Sequence, residues 1–369
     1  MKVSLNTRFI DGPAGGGMQF ANYLKTYLKK KDVQVINHLK DKDIDIILHI
    51  SPFPHLMSVA SYSYFDAAIY KINHPSTIIV QRINECDERK GTNYINTLLV
   101  DVSRYSDFVV YIASWLKPLM EKNGLSKEIP SRIILNGADS NIFNQNNKLI
   151  WNNKGKLRIV THHWGGNYFK GHDIYKRLDE LLENPNYKNI FEFTFIGNYP
   201  KDISYKNTNI IPPLSGAILA DELKKHHIYL TASRNEPAGM HHIEGTLCGL
   251  PLLYVNSGAL PEYCSGFGIE FNEKNFEEKL LQIHKEYDIW EEKIKAYKNT
   301  SDKMCEEFHE LFIKLHAKKN TSAKINSITK LAKIFSIQLN RLIYLLKIIY
   351  IKFNLFIKNE RTKISNSTK

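Results

Sequence analysis

Short apolar runs alternate with longer amphipathic ones through the first half of the chain, and past residue 150 the same rhythm starts again. KVSLNTRFI (2–10), VQVIN (33–37), DIILHI (45–50), TIIVQRI (77–83) and DFVVYI (107–112) read as buried strands. MQFANYLKTYLKKK (18–31) sets Phe20, Tyr23, Leu24 and Leu28 at helical spacing. This is the pattern of a parallel sheet with crossover helices. The restart comprises LRIVTHH (157–163), a helix over GHDIYKRLDELLENP (171–185) closed by Asn-Pro, FEFTFIG (191–197), a short helix ADELKKHH (220–227), IYLTAS (228–233) and PLLYVN (251–256). ILNGADSNIF (134–143) carries turn chemistry between the halves. The expectation is α/β: two Rossmann-like domains, 1–145 and 146–320, facing a central cleft, with a tail over 321–369. Ligands of open α/β sheets bind outside the carboxyl ends of the strands, which places a site in that cleft.

At 369 residues the chain is long enough for two cores, and a charged content of 24% beside 43% hydrophobic describes a globular protein rather than a disordered one. Cys86, Cys248, Cys264 and Cys305 show no paired spacing, which fits a reducing compartment. The net charge of +12 is concentrated in the tail: residues 321–369 hold ten Lys/Arg and one acid, Glu360. The body is close to neutral, which argues against a nucleic-acid groove across it.

The stretch EPAGMHHIEGTLCGLP (236–251) carries the chemistry. Glu236 follows the strand IYLTAS, and HHIEGTLCG reads as a helix with Gly239 at its entry and Gly249 at its end. A helix entry offers free backbone amides and the positive end of the dipole, an anion site. A carboxylate beside a phosphate repels it, so Glu236 is suited to hydroxyls next to the phosphate. Glu244, two turns on, suits a second diol. A ligand with a sugar, a diphosphate and a ribose satisfies all three features.

This stretch resembles the signature of the retaining, nucleotide-sugar-dependent glycosyltransferases of the GT-B fold, the large family that includes sucrose synthases and bacterial mannosyltransferases. Further matches follow in order: GPAGGG (12–17) looks like the family's first glycine loop, ILNGADSNIF like its Asn-Gly-x-Asp linker, YFKGHDIY (168–175) like its Lys-Gly donor turn, and NSGALPEYCSGFGIEF (256–271) like its Gly-x-x-Pro-Glu segment. The resemblance implies that Glu236 contacts the donor sugar, Glu244 the ribose, and Lys170 the diphosphate. The amides of Gly239, Met240 and His241 bind phosphate in that scheme, and His241 faces the site. Gly15, Gly16 and Gly17 let the first domain approach the diphosphate closely. No metal or other cofactor is implied, the nucleoside-diphosphate sugar being a co-substrate. The family usually carries an Arg five or six residues before the donor lysine. Here Gly165 and Trp164 stand there, leaving His163 or Arg234 to fill in. Arg82, Asn84 and Asp87 occupy the region of a usual first-domain histidine, and an Arg82–Asp87 salt bridge is as good a reading as a role in catalysis. Glu262 reads as a helix-start residue near the base or ribose pocket, and the backbone near Ile211–Ser215 as a base-reading segment.

Three His-His pairs lack metal-ligand spacing, so a zinc site is not expected. Projected at about 100° per residue, residues 324–358 gather Lys330, Lys333, Arg341, Lys347, Lys352 and Lys358 within roughly 140° and fill the other side with apolar residues. Their uninterrupted apolar runs fall short of the about 20 residues of a span. This reads as a basic amphipathic helix lying on an anionic membrane surface. The expected activity is transfer of a sugar, with retention, from a nucleoside-diphosphate sugar to a glycan or lipid-linked acceptor. Cell-surface polysaccharide or lipopolysaccharide synthesis is the expected setting, with the enzyme cytoplasmic and peripheral on the inner face of the cell membrane. Rivals are a nucleotide-sugar epimerase of the same fold and a catalytically inactive nucleotide-sugar-binding scaffold.

Overall fold

The computed structural model of the chain describes residues 1–9, 16–51, 53, 59–318 and 326–367, with side chains described as far as Asn354. Two six-stranded sheets form its frame. The first holds β1 (Lys2–Leu5), β2 (Gln34–Ile36), β3 (Ile46–His49), β4 (Ile78–Ile83), β5 (Phe108–Tyr111) and β6 (Ser131–Ile133), in the order β2-β1-β3-β4-β5-β6. The second holds β7 (Leu157–His163), β8 (Phe191–Gly197), β9 (Asn209–Ile211), β10 (Ile228–Thr231), β11 (Leu252–Val255) and β12 (Gly268–Phe271), in the order β12-β11-β10-β7-β8-β9. Every ladder in both sheets is parallel. β3 is buried at all four positions, as expected of a strand covered by helices on both faces. The strand order reverses between β1 and β3 in the first sheet and between β7 and β10 in the second. These two switch points fix where a crevice opens.

The second half departs from the expected element ends in one instructive place. The helix after Gly171 runs only over His172–Leu181, and Asn184-Pro185 opens the next short helix instead of closing this one. The Asn184 side chain accepts from the Asn186 amide, and Pro185 occupies the first helical position, where its missing N–H costs nothing.

The chain also doubles back. The helix Ser301–Ala317 lies against the helix Gly16–Lys30 and contributes Met304, Cys305, Phe308, Leu311 and Phe312 to the core around Val3, Leu5 and Phe20. The rings of Phe20 and Phe308 are 5.0 Å apart. The crossing back is made at a bridge between Ala138 and Thr300. A stretch numbered with the second half thus completes the core of the first domain.

The C-terminal helix Ser327–Ser367 packs on the first domain. Ile337, Tyr344 and Ile348 are buried, with the Tyr344 ring 5.5 Å from Phe65 and 5.7 Å from Tyr64 of the helix Tyr64–Asn73. Arg341 pairs with Asp66 at 3.0 Å and Lys347 with Asp101 at 3.5 Å. Leu331, Phe335, Leu342, Leu346, Ile349 and Phe353 are exposed. Lys324 lies outside the described residues, and the side chains of Ile357 and Lys358 are not described. Counting uninterrupted runs undervalued this helix: Ser327–Asn354, 28 residues, is by length and composition long and apolar enough to cross a membrane.

Phe308→Ala is expected to destabilise the protein by about 3–5 kcal/mol, the usual cost of deleting a buried phenyl ring. Urea unfolding reads this directly. An unchanged midpoint would show that the returning helix is not part of the first domain's core.

Candidate functional site

The site is built where β10 gives out. After Thr231 the chain passes through Asn235, held at φ 49° with its amide donated to the Ser257 hydroxyl at 2.8 Å, and reaches Glu236. Gly239 then caps the helix Met240–Leu247, all of whose residues are buried. A Cβ at Gly239 would lie 2.5 Å from His241 Nδ1 and 3.1 Å from the Glu236 carboxyl carbon, so only glycine lets the helix start this close to Glu236. Gly249, just past the helix end, is left-handed at φ 81°. The first amides of this helix have no intrahelical partner and carry the positive end of its dipole.

Glu236 is only 5% exposed. Its carboxylate meets Lys170 Nζ at 2.9 Å and Arg89 Nε at 3.4 Å. Burial pushes this carboxyl up, but Lys170 and then Arg89 outweigh it and hold it down at about 2. Lys170 ends the turn Tyr168–Lys170, and Gly171 follows at φ 91°, where a Cβ would sit 2.4 Å from Ala232 Cβ. Glycine there seats the lysine turn directly on the end of β10. Burial lowers the Lys170 ammonium, with Glu236 opposing the shift.

Glu244 lies on the same helix, also buried. One oxygen is 2.8 Å from His162 Nε2, and the other accepts from Gln19 Nε2 of the first domain at 3.4 Å. His162 Nδ1 stands 3.0 Å from the Tyr229 hydroxyl. His163, next in β7, points the other way and meets the Tyr175 hydroxyl at 2.8 Å. Burial first, then the Lys170 charge, holds His163 far below its ordinary value, so its ring is uncharged at neutral pH. Burial does the same to His241, whose Nε2 is 3.0 Å from the Thr231 hydroxyl. His242 is fully buried against the Tyr263 ring, and neither ring nitrogen has a partner among the described residues. Burial takes it down to about 3.

A cavity of about 650 Å³ lies between the two sheets. Thr7 and Ser51, after β1 and β3, line it from the first switch point, and His162, His163 and Glu236 from the second. Lys170, Gly239, Met240, His241, Glu244, Gly16 and Gly17 complete the set of predicted residues that face it. Gly15 lies outside the described residues. Pro213, Leu214 and Ser215 form part of the wall, within the segment read as base-recognising. Among the described residues, no group of three or more His, Cys, Asp and Glu side chains is arranged to hold a metal ion.

Several secondary readings are corrected. Arg234 does not line the cavity: it pairs with Asp173 and, at 2.6 Å, with Glu273. Arg82 and Asp87 form no salt bridge. Asp87 accepts from the amides of Tyr94, Ile95 and Asn96 at 2.9, 2.8 and 3.0 Å, while Arg82 Nη2 donates to Asn136 Oδ1 at 2.8 Å. Glu262 is not at the cavity either: it accepts from the Ser114 amide and hydroxyl at 2.7 and 2.9 Å, tying the domains together. Arg89, His162 and Gln19 were missed. For His162 the signal existed, since period-two alternation in β7 sends one of two adjacent histidines to each face. Arg89 and Gln19 act across the domain seam, and nothing near them in sequence marks that.

Two parallel six-stranded sheets facing one cavity, closed by a helix that returns to the first domain, are the GT-B fold. Solved structures agree. HepE from Anabaena, determined in complex with UDP and glucose, is 12% identical and superposes with a TM-score of 0.55 over 86% of this chain and 97% of its own. Sucrose-phosphate synthase from Thermosynechococcus elongatus matches at 12% identity and a TM-score of 0.58, over 86% and 99% of the two chains. The lipopolysaccharide outer core galactosyltransferase WaaB, in its apo form, matches at 12% identity and 0.58, over 85% and 99%. No protein-family model and no curated protein matches the sequence. At this identity the likeness establishes the fold.

Buried neutral histidines make stability depend on pH. The unfolded chain binds protons at His242 below about pH 6.5, whereas the folded chain does so only near 3. The stability is therefore complete above pH 6.5 and is lost as pH falls toward 3. His242→Phe is expected to flatten the loss between pH 6.5 and 5 by up to about 1.4 kcal/mol per pH unit. Urea unfolding across that range tests it, and an unchanged slope would contradict the burial of His242.

Proposed function

We propose that this chain is a glycosyltransferase that takes a sugar from a nucleoside-diphosphate sugar and joins it, with retention, to a hydroxyl of a glycan or lipid-linked acceptor. The observation that carries the reading is the convergence on one cavity of Glu236, Glu244, Lys170 and the amide end of the helix Met240–Leu247. The helix end and Lys170 suit the diphosphate, where negative charge grows as the sugar leaves. Glu244, already engaged by His162 and Gln19, suits the ribose diol. Glu236, held ionised by two cations, accepts hydrogen bonds from sugar hydroxyls. In the reaction the bond from the anomeric carbon to the diphosphate breaks and one to the acceptor oxygen forms on the same face. The acceptor's proton leaves with the diphosphate. No metal enters this scheme. HepE was solved with UDP and glucose, which makes UDP the first donor base to try.

Thermal melting with UDP, GDP, ADP and CMP identifies the base. At a concentration of 100 times the dissociation constant, one of them is expected to add about 2.7 kcal/mol of stability, and Glu244→Ala to diminish the effect. Because Glu236 neutralises Lys170 and Arg89, Glu236→Gln is the cleaner test of turnover than an alanine that leaves both cations unpaired. Loss of transfer with nucleotide binding retained is expected. Full transfer by Glu236→Gln would sink the site assignment.

The C-terminal helix carries the second part of the reading: a cytoplasmic enzyme lying on the inner face of the cell membrane, serving assembly of a cell-surface polysaccharide or lipopolysaccharide. Its packed stripe is Ile337, Tyr344 and Ile348, and the opposite stripe of Phe335, Leu342, Leu346 and Phe353 faces away from the body. Lys330, Lys333, Arg341, Lys347 and Lys352 flank the packed side, suited to anionic headgroups. Packing of the helix along the first domain supports a helix that lies on the bilayer rather than crossing it. Flotation with phosphatidylcholine vesicles, with and without phosphatidylglycerol, tests this. The native chain is expected to float with the anionic vesicles, and the triple variant Phe335→Ser, Leu342→Ser, Leu346→Ser to stay behind. Equal partitioning of the two would count against the membrane.

A further inference from the structure

Among the described residues, six charged side chains line the cavity: Arg82, Lys90 and Lys170, and Glu85, Glu236 and Glu244. Lys90 reaches Glu85 at 2.9 Å, and Lys170 reaches Glu236 at the same distance. Glu244 is met by His162 and Gln19. Among the described residues, Arg82 alone of the three cations has no carboxylate. It sits in the middle of the first sheet, on β4, with 2% of its surface exposed. Its neighbour Gln81 turns to the other face and donates to the Leu99 carbonyl.

The guanidinium lies 3.8 Å over the Phe20 ring and donates one hydrogen bond, from Nη2 to Asn136. Nε and Nη1 have no partner among the described residues. A buried cation with neither counter-ion nor full hydrogen bonding is strongly unfavourable, and a fold keeps one only where something offsets it. Burial draws this guanidinium down to about 9, which leaves it charged at neutral pH.

The surroundings say what would offset it. Asn136 donates in turn to the Ala238 carbonyl at 2.8 Å, so Arg82 is two hydrogen bonds from the residue before Gly239. A Cβ on Gly16 would lie 3.1 Å from Met240 Cγ, and one on Gly17 would lie 3.7 Å from Asn84 Nδ2. Arg82 therefore stands on the first-domain side of the gap whose other side is the amide end of the helix Met240–Leu247.

We propose that Arg82 is the first domain's phosphate ligand, its Nε and Nη1 taking the diphosphate of a nucleoside-diphosphate donor opposite the amides that follow Gly239. The inference rests on the donor reading above. It assigns positive charge to a strand of the first domain, while in the second domain Arg234 is spent on Asp173 and Glu273 and His163 is uncharged. Both free nitrogens are shielded from solvent, so taking up an anion requires the packing around them to open.

The test uses the full chain as wild type, Arg82→Gln and Arg82→Met. Each is titrated with UDP, GDP and ADP, and with uridine, guanosine and adenosine by competition. Wild type is expected to bind one diphosphate. Either variant weakens that diphosphate about 10- to 100-fold and leaves the matching nucleoside unchanged. Without nucleotide, the variants melt no lower than wild type, because an uncompensated buried charge has been removed. If diphosphate affinity survives the substitution, Arg82 is not a ligand and the inference falls while the donor reading stands. Equal losses of nucleotide and nucleoside, or the failure of both variants to fold, make Arg82 structural and overturn it. If wild type binds none of the three diphosphates, the donor reading itself falls.

Discussion

A carboxylate taken out of water between two domains needs cations within hydrogen-bond reach, and Glu236 draws one from each side: Lys170 from the second domain and Arg89 from the first. Removing one member of such a buried cluster generally costs about 3–5 kcal/mol, because it strands the others. The rest of the seam is organised around this point. Asn235, one residue before, donates to the Glu88 carbonyl, one residue before Arg89. Asn136 donates to the Ala238 carbonyl, and the Tyr263 hydroxyl accepts from the Asn136 amide and donates to the Ile112 carbonyl. The charge that the proposed function gives Glu236 for sugar hydroxyls is thus the charge that draws the domains together.

That coupling constrains how a diphosphate is met. Among the described residues, counting Arg89 with the cavity's own charged residues, four cations face three carboxylates, a small surplus to which the helix end adds roughly half a charge. The histidines His163, His241 and His242 add nothing near neutral pH, since burial keeps them uncharged. A diphosphate brings more negative charge than this surplus. On the proposed donor reading it would be accommodated by redistribution: a sugar hydroxyl that takes up part of Glu236's accepting capacity would free Lys170 or Arg89 to turn toward phosphate. Such an exchange needs no net movement of charge into the site. It also makes sugar and diphosphate mutually supportive, because each releases a partner the other uses.

Much of this was legible in the residues, and the rest was not for identifiable reasons. β3, β4, β5, β7, β8, β10 and β11 appear as continuous apolar runs because parallel strands covered on both faces leave no polar alternation to confuse the reading. β6 and β9 have three residues with none buried, and β12 carries the exposed Glu270, so none of them shows a continuous buried apolar run. The Glu236–Glu244 stretch could be placed because its helix and its strand are adjacent in sequence and its glycines mark the junction. Arg89 and Gln19 join the site only through the docking of one domain on the other, a relation of long sequence separation that local pattern does not encode. The return of Ser301–Ala317 to the first domain was invisible for the same reason: an amphipathic helix states that it has a partner, not which one.

The C-terminal helix shows what a single amphipathic projection leaves unresolved. Its apolar residues were counted as one face and its cations as the other, yet the body is packed on the cationic side, through the narrow line of Ile337, Tyr344 and Ile348. Arg341 and Lys347 flank that line and are partly spent on Asp66 and Asp101 of the first domain. The helix is held by shape and by ion pairs at once, and the broad apolar stripe opposite is left for something else. In water that stripe, with Phe335 73% and Phe353 59% exposed, carries a hydration cost at every turn. A bilayer boundary removes the cost without disturbing the packed side, because the two lie on opposite sides of one helix. A crossing helix would have to leave the first domain and break the Arg341–Asp66 and Lys347–Asp101 pairs. On the proposed reading the helix would strap domain to membrane, and the first domain, which brings Arg82 to the cavity, would be the one held against the surface.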